Sequence, residues 1–158
     1  MPQNRERVFC VSVRKDVDNL NFNFLEPYDK NKKLKDIMET TVDEKFFFRR
    51  KKLTFTPNKN KGDIRGFVDV GSYDLGNRVY DEDSVCFTLR AKKNDQLLKI
   101  GDEFRFLTPT ECFRLMGLTD EEIHRIQSMD ISNSQQYKLA GNSIVVDCMF
   151  FLKNLFNY

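Results

Sequence analysis

The sequence predicts a mixed α/β fold in which a small, irregular, β-rich body is followed by a helical end. Three observations predict it. From Gly66 to Ile100, β-branched and aromatic residues are punctuated by Gly and Asp/Asn clusters, the texture of short strands and tight turns. After Leu107, two Thr-x-x-Glu boxes open helices in succession, the first with Pro at its first helical position. Ahead of both, residues 7–13 form an apolar run that reads as a strand. Apolar residues make up 40% of the 158 positions and charged residues 32%, a balance that can close a real core.

The elements follow in order. Arg7-Val8-Phe9-Cys10-Val11-Ser12-Val13 is apolar on both faces and predicts an inner strand of a sheet. Residues 16–33 are rich in Asn, Asp and Lys, contain Pro27, and predict a loop. Leu34, Ile37 and Met38 have helical spacing, so a short helix is expected over about 34–39. Phe46-Phe47-Phe48 precedes the basic run Arg49-Arg50-Lys51-Lys52, and residues 56–63 read as a Pro/Asn/Lys/Gly loop. Val68, Val70, Val79, Tyr80, Val85, Phe87 and Leu89 predict several short strands. Thr108 caps a helix that runs to Met116 and stops at Gly117, and Thr119 caps another to about Ser128. Residues 134–140 predict a further helical turn ended by Gly141. Ser143 then caps a last helix with Val145, Cys148, Leu152 and Leu155 along one stripe.

Charge narrows the function classes. A net charge of +2 excludes a purely electrostatic nucleic-acid coat. The distribution is uneven: residues 1–65 hold 16 Lys/Arg against 10 Asp/Glu, whereas residues 66–158 hold 10 against 14. Phosphate contacts are therefore expected in the basic half. No apolar stretch is long enough to span a membrane, and the polar N-terminal residues contain no secretory h-region, so a cytoplasmic location with no membrane partner is expected. Cys10, Cys86, Cys112 and Cys148 form no C-x-x-C pair and His124 is the single histidine. Reduced thiols and no metal site are expected.

Several motifs are open to two readings. On an extended strand Gln3, Arg5 and Arg7 share one face, about 7 Å apart. They are a row of donors for a phosphate or a base carbonyl, or simply a polar strand end. Arg105, Thr108, Glu111 and Arg114 are explained by helix building, with Glu111 and Arg114 one turn apart and able to pair. Gly141-Asn142-Ser143-Ile144 at a helix start suits an anion, or a Gly C-cap running into a Ser N-cap. Arg49 and Arg50, with Lys51, Lys52, Lys59 and Lys61, form a solvated face or a phosphate patch.

In combination these motifs resemble the C-terminal part of the DNA cytosine-5 methyltransferases. Gln3-Asn4-Arg5-Glu6-Arg7 is similar to the family's Q-x-R-x-R motif, the eighth. Residues 105–117, Arg-Phe-Leu-Thr-Pro-Thr-Glu-Cys-Phe-Arg-Leu-Met-Gly, resemble the ninth, and Tyr137-Lys138-Leu139-Ala140-Gly141-Asn142-Ser143-Ile144 resembles the tenth. Between them, Arg78-Val79-Tyr80 and Thr88-Leu89 resemble landmarks of the target-recognition domain. The chain departs from the family at Leu118-Thr119, where Phe-Pro is usual, and at Leu139, where Gln is frequent. No cysteine here follows a proline, so the family's nucleophile motif is absent from these 158 residues.

The resemblance implies a fold and a chemistry. Residues 1–33 would be a strand region at the edge of a Rossmann-like methyltransferase catalytic domain. Residues 34–141 would be the small β-rich recognition domain, and 142–158 a helix returning to the catalytic domain. The family flips a cytosine out of duplex DNA, adds a cysteine thiolate to C6, and methylates C5 from S-adenosylmethionine. Arg7 would contact the cytosine O2, with Arg5 and Gln3 supporting the same pocket. Asn142, Ser143 and Ile144 would line the cofactor site. Arg78, Tyr80, Thr88 and Leu89, with Arg49 and Arg50, would face the DNA. The partner implied is an N-terminal half carrying the Pro-Cys nucleophile, without which catalysis is absent; the alternative is a catalytically inactive DNA-binding module.

Overall fold

Two sheets and a cluster of helices organise the protein in a computed structural model that describes residues 2–6, 8–16, 31–49, 53–60, 62–69, 74–93 and 96–150. Along the chain come β1 (Gln3–Asn4), β2 (Phe55–Pro57), β3 (Gly66–Val68), the single turn α1 (Asp74–Asn77), β4 (Arg78–Tyr80), β5 (Cys86–Phe87), β6 (Leu97–Ile100) and β7 (Glu103–Phe106). The helices α2 (Pro109–Met116), α3 (Asp120–Gln127) and α4 (Asn133–Asn142) follow, and residues 146–150 are helical. The mixed α/β fold read from the sequence is the fold observed.

The larger sheet has the order β2-β3-β4-β6-β7. All its pairings are antiparallel except β4 with β6. Its inner strands carry adjacent apolar residues because both faces are covered. Val79 and Leu97 face one cluster with Val68, Phe55, Phe104 and Phe106. Tyr80 and Leu98, one residue on, enter the main core with Leu107, Leu115, Met116, Ile123 and Tyr137. Gly101 turns β6 into β7 at φ 58°, a left-handed conformation that favours glycine. The smaller sheet is β1 parallel to β5, Gln3 opposite Cys86 and Asn4 opposite Phe87.

The helices expected after Thr108 and Thr119 are α2 and α3. Thr108 and Thr119 each accept from the amide three residues on while Glu111 and Glu122 bond back, and Gly117 closes α2 at φ 91°. Four details differ from expectation. Residues 8–13, the described part of the strand expected at 7–13, are irregular, and the strand at this end is Gln3–Asn4 beside β5; Val8 is 97% exposed. The helix expected over 34–39 is one 3₁₀ turn, Leu34–Asp36, held by Leu34 and Lys35 amides donating to Ser84 and Glu82 carbonyls. Helix α4 continues through Gly141 instead of ending there. Ser143 closes α4 and does not open the next helix, since its hydroxyl donates back to the Ala140 carbonyl. Of the C-terminal stripe, Val145 is buried in the main core and Cys148 packs against it; Leu152 and Leu155 lie outside the described residues.

Candidate functional site

The three motif segments meet at one corner. Gln3 is buried on β1. Its Nε2 donates to the Leu115 carbonyl at 3.0 Å and lies 3.3 Å from Met116 Sδ, while its Oε1 accepts from the Leu89 amide at 3.1 Å. Leu115 belongs to the last turn of α2, whose carbonyls have no partner within the helix. Arg5 does the same for α4. Its Nη2 donates to the Gly141 and Ser143 carbonyls at 3.3 and 3.0 Å, and its Nη1 to the Leu89 carbonyl at 3.1 Å. A guanidinium at a helix C-terminus is favoured by the helix dipole. Thr88 Oγ1 donates to the Asn4 carbonyl at 2.7 Å and completes the knot. Gln3 and Arg5 are thus held by backbone groups. Arg7 lies outside the described residues.

Gly141 explains why this corner closes. A Cβ built there would stand 2.4 Å from the Ala91 nitrogen and 2.5 Å from the Arg90 oxygen. Only glycine lets α4 lie against the backbone of residues 90–91. Asn142 and Ile144 are exposed beside it, and Ser143 is half-buried between them. The segment presents one amide and one β-branched apolar side chain to solvent. Its backbone setting is a helix C-terminus, so the anion-favouring helix start expected from Gly-Asn-Ser is corrected.

Behind the corner lies a buried ion pair. Arg105 on β7 and Glu111 on α2 form a bidentate pair, both contacts 2.7 Å, with side chains 3% and 0% exposed. Glu111 also accepts from the Thr108 and Glu39 amides at 2.9 and 3.0 Å. A buried carboxylate needs this many donors to offset its desolvation. Thr108 Oγ1 donates to the Glu39 carboxylate. Glu111 therefore pairs with Arg105 and not with Arg114, as the helical spacing had suggested. Arg114 instead holds Asp120 at 2.7 Å and the Ile37 carbonyl at 3.2 Å. The Asp120 hydrogen bond raises the Arg114 pKa, and Arg114 in turn holds the Asp120 carboxyl below its usual range.

The remaining candidates are dispersed. Arg78 is engaged by Asp74 on α1 at 3.0 Å. Arg49 bridges Glu103 at 2.6 Å and Glu44 at 3.0 Å and lies over the Phe47 ring. Arg50 lies outside the described residues. Tyr80 and Leu89 are 2% and 1% exposed. Both side chains pack into the main core. Burial pushes the Tyr80 hydroxyl up to about 12.

Two residues were missed. Glu39 joins the buried pair through Glu111, 72 residues away, and carries no local signal. Tyr137 lies within the tenth motif. Its hydroxyl donates to the Leu107 carbonyl at 2.7 Å, and the signal for it is a lone aromatic residue in an otherwise polar segment.

The architecture has a counterpart among solved structures. It is similar to the crystal structure of S. pombe Dnmt2 methyltransferase, with a TM-score of 0.58 and 16% identity, covering 78% of this chain and 41% of that one. The C-5 cytosine-specific DNA methylase family matches residues 1–155, and the chain belongs to that family. Type II methyltransferase M.HhaI of Haemophilus parahaemolyticus is 30% identical over 96% of this chain and 48% of its own length. Type II methyltransferase M2.ScrFI of Lactococcus lactis subsp. cremoris is 31% identical over 99% of this chain and 42% of its own. The chain spans about half the length of these relatives.

Proposed function

We propose that the chain supplies target recognition and pocket-forming segments to a DNA cytosine-5 methyltransferase. It works with a second half that carries the Pro-Cys nucleophile, on cytoplasmic double-stranded DNA. The carrying observation is the reach of Arg5, which ties β1, residue 89 and the end of α4 into one body. These are the segments that resemble the eighth motif, the recognition landmark and the tenth motif. In this reading residues 1–33 and 142–158 belong with the catalytic domain, and 34–141 form the recognition domain.

Each residue then has a part. Arg7, the last residue of the Gln-x-Arg-x-Arg motif, donates to the O2 of the flipped cytosine and stabilises negative charge developing there. Gln3 and Arg5 position that strand rather than touch the base. Thr88 holds Asn4 and keeps β1 beside β5. Asn142, Ser143 and Ile144 form one side of the S-adenosylmethionine site, the group that supplies an activated methyl when bound. The cysteine thiolate comes from the partner half, because only covalent addition at C6 makes C5 nucleophilic.

The test is methyl transfer from labelled S-adenosylmethionine to unmethylated duplex DNA, with and without a co-purified polypeptide carrying the family's Pro-Cys half. Transfer is expected only with both. Transfer by this chain alone overturns the assignment. DNA binding with no transfer in either case makes the chain a catalytically inactive DNA-binding module. In the two-part enzyme Arg7→Ala should abolish transfer and keep most DNA affinity, since phosphate contacts supply most of it.

A further inference from the structure

Among the described residues, Oε1 of Gln96 is the only buried side-chain polar atom with no hydrogen-bond partner. Gln96 is 1% exposed and lies directly before β6. Its carbonyl accepts from the Leu107 amide at 3.2 Å, which fixes its backbone beside the end of β7. Its Nε2 donates to the Phe87 carbonyl on β5 at 3.4 Å. The side chain thus joins the larger sheet to the smaller one. A buried acceptor with no donor is costly, and an apolar side chain of the same length would avoid that cost. Stability alone does not account for an amide here, so the bonded end of the side chain has to.

Phe87 stands opposite Asn4 in the smaller sheet. The next residue, Thr88, donates to the Asn4 carbonyl. Leu89 bonds Gln3 through its amide and Arg5 through its carbonyl. Fixing the Phe87 carbonyl therefore fixes the first of three consecutive residues that hold Gln3, Asn4 and Arg5. On its other side Gln96 leads into Leu97 and Leu98, which pair with both β4 and β7 in the interior of the larger sheet. The Tyr80 ring also meets the Phe87 ring, with centroids 6.2 Å apart. That contact keeps the two sheets together, whereas a hydrogen bond is directional and sets how they are aligned.

We propose that Gln96 is a positioning residue for methyl transfer, aligning β1 and its Gln-x-Arg-x-Arg segment with the larger sheet through the Phe87 carbonyl. The proposal rests on the reading of the chain as part of a DNA cytosine-5 methyltransferase. Gln96 acts through β5 and β1, whose motif ends in the arginine assigned to the flipped base. A displacement of about 1 Å at a reacting centre can cost on the order of a hundredfold in rate. DNA affinity is set mostly by phosphate contacts. A misaligned β1 is therefore read in kcat and not in KM for DNA.

The experiment compares two buried glutamines. Gln96→Met keeps the side-chain length and removes the amide. Gln136→Met does the same on α4, where Nε2 donates to the Ile131 carbonyl at 3.0 Å and Oε1 accepts from Gln127 at 3.3 Å, so that both ends are bonded. Urea unfolding of the full chain and steady-state transfer by the two-part enzyme are measured for each. In Gln96→Met the removal of the unpartnered oxygen offsets the lost hydrogen bond. Its unfolding midpoint should stay close to or above the wild-type value, while kcat falls by about tenfold to a hundredfold with KM for DNA unchanged. Gln136→Met should lower the midpoint and keep kcat. An unchanged kcat in Gln96→Met overturns the proposal, as does a loss confined to KM. A kcat loss that comes with a lowered midpoint, or that Gln136→Met shares, makes Gln96 a structural residue and overturns it too. A wild-type two-part enzyme without transfer overturns the underlying methyltransferase reading instead.

Discussion

The buried corner around α2 and the two ends of the described chain treat their side chains in opposite ways. Near α2 even full charges are inside. Arg105 and Glu111 are almost without exposure, yet every carboxylate oxygen has a donor. At the ends, apolar side chains are outside. Val8 is 97% exposed, Ile144 54%, Met149 51% and Phe150 61%. Burying such a side chain stabilises by roughly 1.5–3 kcal/mol, and the described residues leave that gain unrealised. The middle is closed because its polar groups satisfy one another. The ends stay open, and under the proposed function the remaining half of the enzyme covers them.

The comparison can be broken most directly at the buried pair. Glu111→Ala strands Arg105 in the core and should cost about 3–5 kcal/mol. Urea unfolding should show it as a collapse of the transition midpoint. A loss below about 1 kcal/mol, the worth of an exposed pair, would mean that the corner is wet and the contrast with the ends is false. Gly141→Ala comes next. Alanine is the better helix former, but its Cβ must displace the backbone of residues 90–91. A net loss of about 1–3 kcal/mol is expected, as for other overpacked sites, together with weaker DNA binding. A stabilised variant would show that the α4 contact is loose.

Tyr137→Phe removes one hydrogen bond to the Leu107 carbonyl without changing shape. About 1 kcal/mol should be lost, read from thermal melts. A smaller effect is set by pH at Asp81. Burial pushes this carboxyl up, but the Ser84 hydroxyl, the Arg65 guanidinium and the Asp83 amide outweigh it and hold the group below its usual range. Folded Asp81 therefore binds protons less readily than unfolded Asp81. Its stabilisation is present above about pH 4 and is lost as pH falls through the lower folded value. Asp81→Asn should flatten the acid limb of Tm against pH, and an unchanged limb would show that the Arg65 contact contributes nothing.

The smallest effect on stability should be at the ends. Val8→Lys and Phe150→Lys should move the unfolding free energy by no more than about 0.5 kcal/mol, as for surface sites. They should nevertheless weaken methyl transfer in the two-part assay. Strong destabilisation of the chain alone would mean that the ends already have partners within it.

Local rules, read from the sequence, determined much of this protein. The two Thr-x-x-Glu boxes, Gly117 and the mixed α/β character depend on residues within one turn of each other, and these held. The order of three motifs sufficed to point to the family, since order survives without coordinates. Tertiary structure decided the rest. An apolar run such as 8–13 becomes a strand only beside a pairing neighbour, and β5 pairs with Gln3 and Asn4 instead. Glu111 chose Arg105 over Arg114 because β7 aims a guanidinium at the start of α2, a direction that helical spacing cannot carry. Gly141 looked like a helix stop and is a packing glycine, because its constraint comes from residues 90–91, fifty positions away. Arg49 and Lys92 are equally basic in the sequence. Only the fold gives the first two carboxylates and leaves the second facing solvent, because ion pairing between residues far apart in the chain is fixed by which surfaces the sheet brings together.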